Sequence, residues 1–242
     1  GCAAVYALTG NSDWSVTNNK IFQTASRTFT GTGTMHGIYF ANTTYGNNIQ
    51  ILSNTIGYAS NAGTGTLTLL GSVAGAFQGI FMNAMTTAAN ACNINNNMIS
   101  DISLTSTTGT FYGINNATGA SSNTININSN TVRNIATITT TGLHYPIESG
   151  SATTLTVNLN TVNNITRTGS GLLYGIKMTS PANGLFSGNI VSNLANNNAT
   201  SASTLAGIYG GSLALNLTIS GNTIFNLTST STGSLTIYGI RD

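Results

Sequence analysis

Residues 125–135 read Ile125-Asn126-Ile127-Asn128-Ser129-Asn130-Thr131-Val132-Arg133-Asn134-Ile135, and residues 155–165 repeat them as Leu155-Thr156-Val157-Asn158-Leu159-Asn160-Thr161-Val162-Asn163-Asn164-Ile165. Through Asn128 in the first copy and Asn158 in the second, apolar and polar side chains alternate with the period of two that marks a strand buried on one face. After the Asn of the shared Asn-Thr-Val the phase shifts, and Val132 and Ile135 stand three apart. A tight corner between strands often needs a left-handed residue, and Asn tolerates that conformation. The stretch therefore reads strand, corner, strand. No segment of the chain offers a helical apolar face.

The same box, apolar-x-x-Asn-x-apolar-x-Asn-apolar, recurs along the chain. Phe186, Asn189, Val191, Asn193 and Leu194 form one copy, and Ile219, Asn222, Ile224, Asn226 and Leu227 another. Asn97, Ile99, Asp101 and Ile102 make an earlier copy; Ile51, Asn54, Ile56 and Val16, Asn19, Ile21 are weaker ones. A second box, Gly-Ile, stands at Gly37-Ile38, Gly79-Ile80, Gly113-Ile114, Gly175-Ile176, Gly207-Ile208 and Gly239-Ile240, with Pro146-Ile147 in the missing place. Steps between equivalent positions run from 29 residues (Asn160 to Asn189) to 43 (Asn54 to Asn97). A repeat of this length carrying strand periodicity is one coil of a β-solenoid, with loop-length variation confined to one edge. The expected architecture is all-β: about six to seven coils in one continuous domain over residues 1–242. At about 4.8 Å per coil this is a rod on the order of 30 Å long.

The Asn-x-Ile/Val-x-Asn-Ile/Leu pattern resembles the repeat of the pectate-lyase-like superfamily. The Asn- and Thr-rich copies ending in Tyr-Gly-Ile are similar to repeats in large surface or secreted proteins of Bacteroidetes-type bacteria. The resemblance covers roughly residues 14–242. It implies a single-stranded right-handed parallel β-helix and an extracellular or cell-surface location. That superfamily holds lyases, hydrolases, adhesins and phage spikes, so the fold implies no single activity.

Composition narrows the field. The chain has 242 residues with six Lys or Arg and four Asp or Glu, against 41 Thr, 34 Asn and 28 Gly. Disordered chains are charged and poor in aliphatics, whereas here 40% of residues are hydrophobic. A net charge of +2 cannot neutralise a phosphate track, so no nucleic-acid partner is expected. No apolar run reaches the roughly 18–20 residues of a membrane span. Cys2 and Cys92 have no metal-site spacing, and no cofactor is expected. The start, GCAAVYALTG, lacks the basic flank of a signal peptide, which reads as a mature form or a piece of something longer.

The recurring residues take structural roles. Asn54, Asn97, Asn130, Asn160, Asn189 and Asn222 are expected to form one amide ladder between coils, and Asp101, Asn134, Asn164, Asn193 and Asn226 a second. Ile38, Ile80, Ile114, Ile147, Ile176, Ile208 and Ile240 should stack in the core. Tyr112, Tyr145, Tyr174 and Tyr238 form an aromatic row, read either as packing against a loop or as contact with sugar rings. Thr55, Thr131, Thr161 and Thr223 should face outward, in an array broken by Lys20, Met98 and Ile190.

Catalysis is short of candidates. Of the acids Asp13, Asp101, Glu148 and Asp242, no two align as an acid–base pair, and Glu148 falls beside Lys177 as an exposed ion pair. His36 and His144 lie in distant coils without a nucleophile or metal partner. The expected function is a non-catalytic extracellular structural protein, a filament subunit or a surface-adhesin segment. The alternative is a polysaccharide-binding module, and a weaker one a glycan-cleaving enzyme. No polar cap is visible in the sequence. If a second copy followed Asp242, the step from Asn222 to its Asn19 would be 39 residues (20 + 19), within the internal range. Head-to-tail stacking and continuation within a longer solenoid both fit that phase.

Overall fold

The computed structural model describes residues 1–10, 12–42, 46–71, 74–84, 90–117, 124–139, 141–179, 181–197, 202–211 and 216–241. The expectations for Asp242 lie outside these residues. The described residues are 65% strand with no helix among them, wound as a parallel β-solenoid of about six turns. Among the described residues no helix is long and apolar enough to cross a membrane.

One coil shows the construction. Phe111–Asn116 lies in a first sheet, Thr124–Asn128 in a second and Thr131–Thr139 in a third. The next coil repeats this with His144–Ser149, Thr154–Asn158 and Thr161–Thr168. Each strand pairs in parallel with its equivalent one coil away. Among the described residues the three sheets hold eight, seven and nine strands, so that seven stacked rungs, joined by about six turns, are followed by one further strand of the first sheet. Alternation decides which side chains enter. In Thr124–Asn128, Ile125 and Ile127 are buried while Thr124, Asn126 and Asn128 are partly exposed.

The interior is a set of stacked rows. The first sheet contributes Ile38, Ile80, Ile114, Ile147, Ile176 and Ile208 in register, all buried. Val5 of the opening strand Cys2–Ala7 pairs with Ile38 and extends the row by one rung. Ala4-Val5 is thus an eighth copy of the Gly-Ile box, hidden in the sequence because both residues are replaced. Ile240 departs from the core expectation: it pairs with Ile208 but is 49% exposed, against 0% for Ile208, because no rung covers it.

The long step from Asn54 to Asn97 is explained in the third sheet. There the strand Thr55–Gly57 is separated from its continuation, Leu67–Leu70, by an inserted segment, and both pair with Met98–Ser106. The outward row Lys20, Thr55, Met98, Thr131, Thr161, Ile190, Thr223 is in register as expected.

Candidate functional site

The first Asn ladder is continuous from Asn19 to Asn222. The Nδ2 of each Asn donates to the Oδ1 of the next, at 2.9 Å from Asn54 to Asn97 and 3.0 Å from Asn97 to Asn130, Asn130 to Asn160 and Asn160 to Asn189. Asn19 to Asn54 and Asn189 to Asn222 complete it at 2.9 Å. Each Nδ2 from Asn54 onward also donates to a carbonyl one coil back, as Asn130 does to Ile94 O at 2.7 Å. Each Oδ1 from Asn54 onward also accepts the preceding Asn's backbone N–H. A buried amide with all these partners carries no desolvation penalty.

The corner geometry differs from the expectation. The left-handed residue is the one before each ladder Asn: Asn18, Ser53, Asn96, Ser129, Leu159, Gly188 and Gly221 all have φ between 56° and 63°. Turning the chain one residue earlier aims the Asn side chain inward, where it can bond between coils. Leu159 bears that conformation without an amide or glycine, and it is exposed.

The second ladder does sit in the left-handed region, with φ of 53° to 56° at Asp101, Asn134, Asn164, Asn193 and Asn226. Tyr58 takes the same place one coil earlier, at φ 62°. Its amides donate in the opposite sense: Asn164 to Asn134 at 2.9 Å, Asn226 to Asn193 at 3.0 Å, and Asn134 to the Asp101 carboxylate at 3.3 Å. Asp101 serves there as an acceptor, which needs no proton.

The outer face of the first sheet carries two rows of side chains. The expected row holds Tyr112, Tyr145 and Tyr174, but Ala206 separates Tyr174 from Tyr238. Tyr209, on the neighbouring row, fills that space and stacks on Tyr174 at 4.7 Å. Tyr145 stacks on Tyr174 at 5.5 Å, and the two are only 2% and 5% exposed. Their ring faces are therefore taken up by one another. Burial, and then the Glu148 charge, raise the hydroxyls of Tyr112 and Tyr145 above the ordinary tyrosine range. Glu148 bonds Lys177 at 2.5 Å, and Lys177 lies 4.3 Å over the Tyr145 ring, so the pair is half-buried rather than exposed. A second stack, Tyr6, Tyr39 and Phe81, runs over the first rungs at 4.9–5.0 Å. Sequence reading missed it because its members follow the Ile of each box instead of preceding the Gly.

The three described acids stay apart. Asp13 accepts from Asn48 in the first rungs, Asp101 lies in the second ladder, and Glu148 holds Lys177. Among the described residues no group of three His, Cys, Asp or Glu could hold a metal. Burial, and then the charge of Arg167, hold His144 neutral well below the ordinary histidine range. Burial, and then the Gly1 amino group, lower His36 to about 4. The unfolded chain takes up these protons near pH 6.5, and the folded chain does not. The histidine contribution to stability is thus whole above pH 6.5 and is lost as pH falls toward 4. A melting temperature that declines steadily from pH 7 to 4.5 is expected. His144→Phe, which extends the buried row of Phe77 and Phe111, should flatten the decline. A wild-type melting temperature constant over that range would contradict neutral histidines.

Compared with protein-family models, with curated proteins and with solved structures, the chain matches none.

Proposed function

We propose that this chain is a non-catalytic structural protein of the cell exterior, a filament subunit or surface-adhesin segment, whose solenoid continues head to tail. The observation that carries this reading is the state of the outermost rungs. Phe225, Ile237 and Ile240 of the last strands are exposed, although the residues in register with the latter two are buried in every central coil, the polar His144 included. The first rung exposes Tyr6, Leu8, Trp14 and Phe22. Sheet edges of this kind are templates for further pairing. The first ladder adds direction: Asn222 keeps an amide N–H to give forward, and Asn19 keeps an Oδ1 to receive one. Opposite ends that match in this way make a heterologous contact, which propagates into an open fibre. With ten charged residues in 242, little repulsion opposes the contact.

Electron microscopy and sedimentation velocity across a concentration series test this. Filaments that lengthen with concentration are expected, and Ile240→Lys, at an exposed site, should leave single short rods with the same circular dichroism. Short rods alone at high wild-type concentration would sink the reading.

A polysaccharide-binding role is the second reading. It is favoured by a shallow cleft lined by Ala3, Tyr6, His36 and Tyr39, where Tyr6 is 60% exposed. Glycan-array binding lost on Tyr6→Ala would support it. Loss only on Tyr174→Ala would point to damage of the buried stack.

A further inference from the structure

One row inside the solenoid changes character along its length. Leu69 and Leu104 begin it, and Thr137, Arg167, Asn196 and Ser229 continue it in register. Arg167 is fully buried, the largest such side chain among the described residues. Its Nη1 donates to Gly169 O at 2.5 Å and to Asn196 Oδ1 at 3.1 Å, and its Nη2 to Gly142 O at 3.1 Å. All three acceptors are neutral. Burial lowers the guanidinium only to about 10, so it stays charged at neutral pH. No described carboxylate reaches it, since Glu148 faces outward to Lys177 while Asp13 and Asp101 lie in earlier coils.

Around this cation stand polar atoms with nothing to bond, most of them donors. The Nε of Arg167, both ring nitrogens of His144, Oγ1 of Thr139 and Oγ of Ser203 are buried without partners. Those of Arg167, His144 and Thr139 belong to one neighbourhood. Ser203 stands apart: it pairs with Gly171, which is itself one coil beyond Gly142. A Cβ on Gly142 would lie 3.1 Å from Thr139 Oγ1, and Gly142 O is itself bonded to Arg167. His144 lies two residues beyond Gly142, close enough for the Arg167 charge to act on it. A charge held away from water without a counter-charge is strongly unfavourable, and an unpaired buried donor adds to that.

We propose that the solenoid interior binds a small monovalent inorganic anion, of the chloride or bromide class, against Arg167, His144 and Thr139. One positive charge calls for one negative charge. The guanidinium Nε–H, an imidazole N–H and the Thr139 hydroxyl can all point hydrogens at it. The site does not depend on head-to-tail stacking, since every member lies in a central coil.

The test uses the full wild-type chain. Melting is compared in sodium chloride, sodium bromide and sodium gluconate at equal ionic strength, and crystals are soaked in bromide for anomalous diffraction. A bromide peak within hydrogen-bond distance of Arg167 is expected, as is a melting temperature about 4 °C higher in halide than in gluconate. Arg167→Met, which returns the row to the apolar character of Leu104, should abolish both. Equal melting in all three salts with no bromide peak, leaving water alone on these donors, would overturn the proposal, and the wild-type arms decide this even if the variant does not fold.

Discussion

Replacing Asn130 with Ala is expected to destabilise the solenoid by about 4 kcal/mol, from several lost partners at roughly 1–3 kcal/mol each. Its Oδ1 accepts both the backbone N–H and the Nδ2 of Asn97, and its Nδ2 donates to Ile94 O and to Asn160 Oδ1. Truncation strands the Asn97 N–H, one Asn97 amide hydrogen and the Ile94 carbonyl, in a site with no exposure to water. Asn160 Oδ1 keeps the Asn130 backbone N–H and suffers less. Chemical denaturation followed by circular dichroism checks this. Asn222→Ala is the internal control. Asn222 is half-exposed, and the groups it leaves on the last rung can turn to water, so a loss near 1 kcal/mol is expected. Equal losses at the two sites would mean that the ladder is not a buried, fully bonded device.

How far the sequence reached follows from which interactions are periodic. The coil, the three sheets and the first ladder were legible because each repeats in phase, as was the second ladder's left-handed register, though no amide hydrogen bond joins its Asn164 to Asn193; a residue such as Asn160 declares its role through five others like it. The same logic explains the misses. Ala4-Val5 carries the box in altered letters, and only its pairing with Ile38 identifies it. The left-handed corner residue varies among Asn, Ser, Leu and Gly, so its backbone conformation leaves no common letter to read. Arg167 occurs once in a row whose neighbours are Thr137 and Asn196, and a repeat search treats it as one more variable position. Its burial is a property of register. The exposure of Ile240 could not be read from the repeat either, because the repeat describes what a rung contains and not whether another rung covers it.

Gly113→Ala should cost about 3 kcal/mol, whereas Gly239→Ala should change the stability of the isolated solenoid by less than about 1 kcal/mol. Neither glycine has a positive φ, so backbone strain does not separate them. What separates them is approach. A Cβ on Gly113 would stand 2.5 Å from the Pro146 carbonyl oxygen and 2.9 Å from a Val132 methyl, one belonging to the next coil and the other to the facing sheet. Gly37, Gly79, Gly175 and Gly207 meet the next coil's carbonyl in the same way, at 2.5–2.8 Å. Ala4 is tolerated at this place in the first rung, where the facing Ile21 is only partly buried and the core has not yet closed. On Gly239 an added Cβ meets nothing within 4 Å. The two substitutions therefore separate folding from stacking. If copies dock head to tail, Gly239 acquires the neighbour that Gly207 already has in Gly239 O, and Gly239→Ala should raise the concentration needed for filaments while its denaturation curve stays that of wild type. If Gly239→Ala assembles as readily as wild type, the last rung does not receive the next copy in solenoid register, and any filament is built through another face.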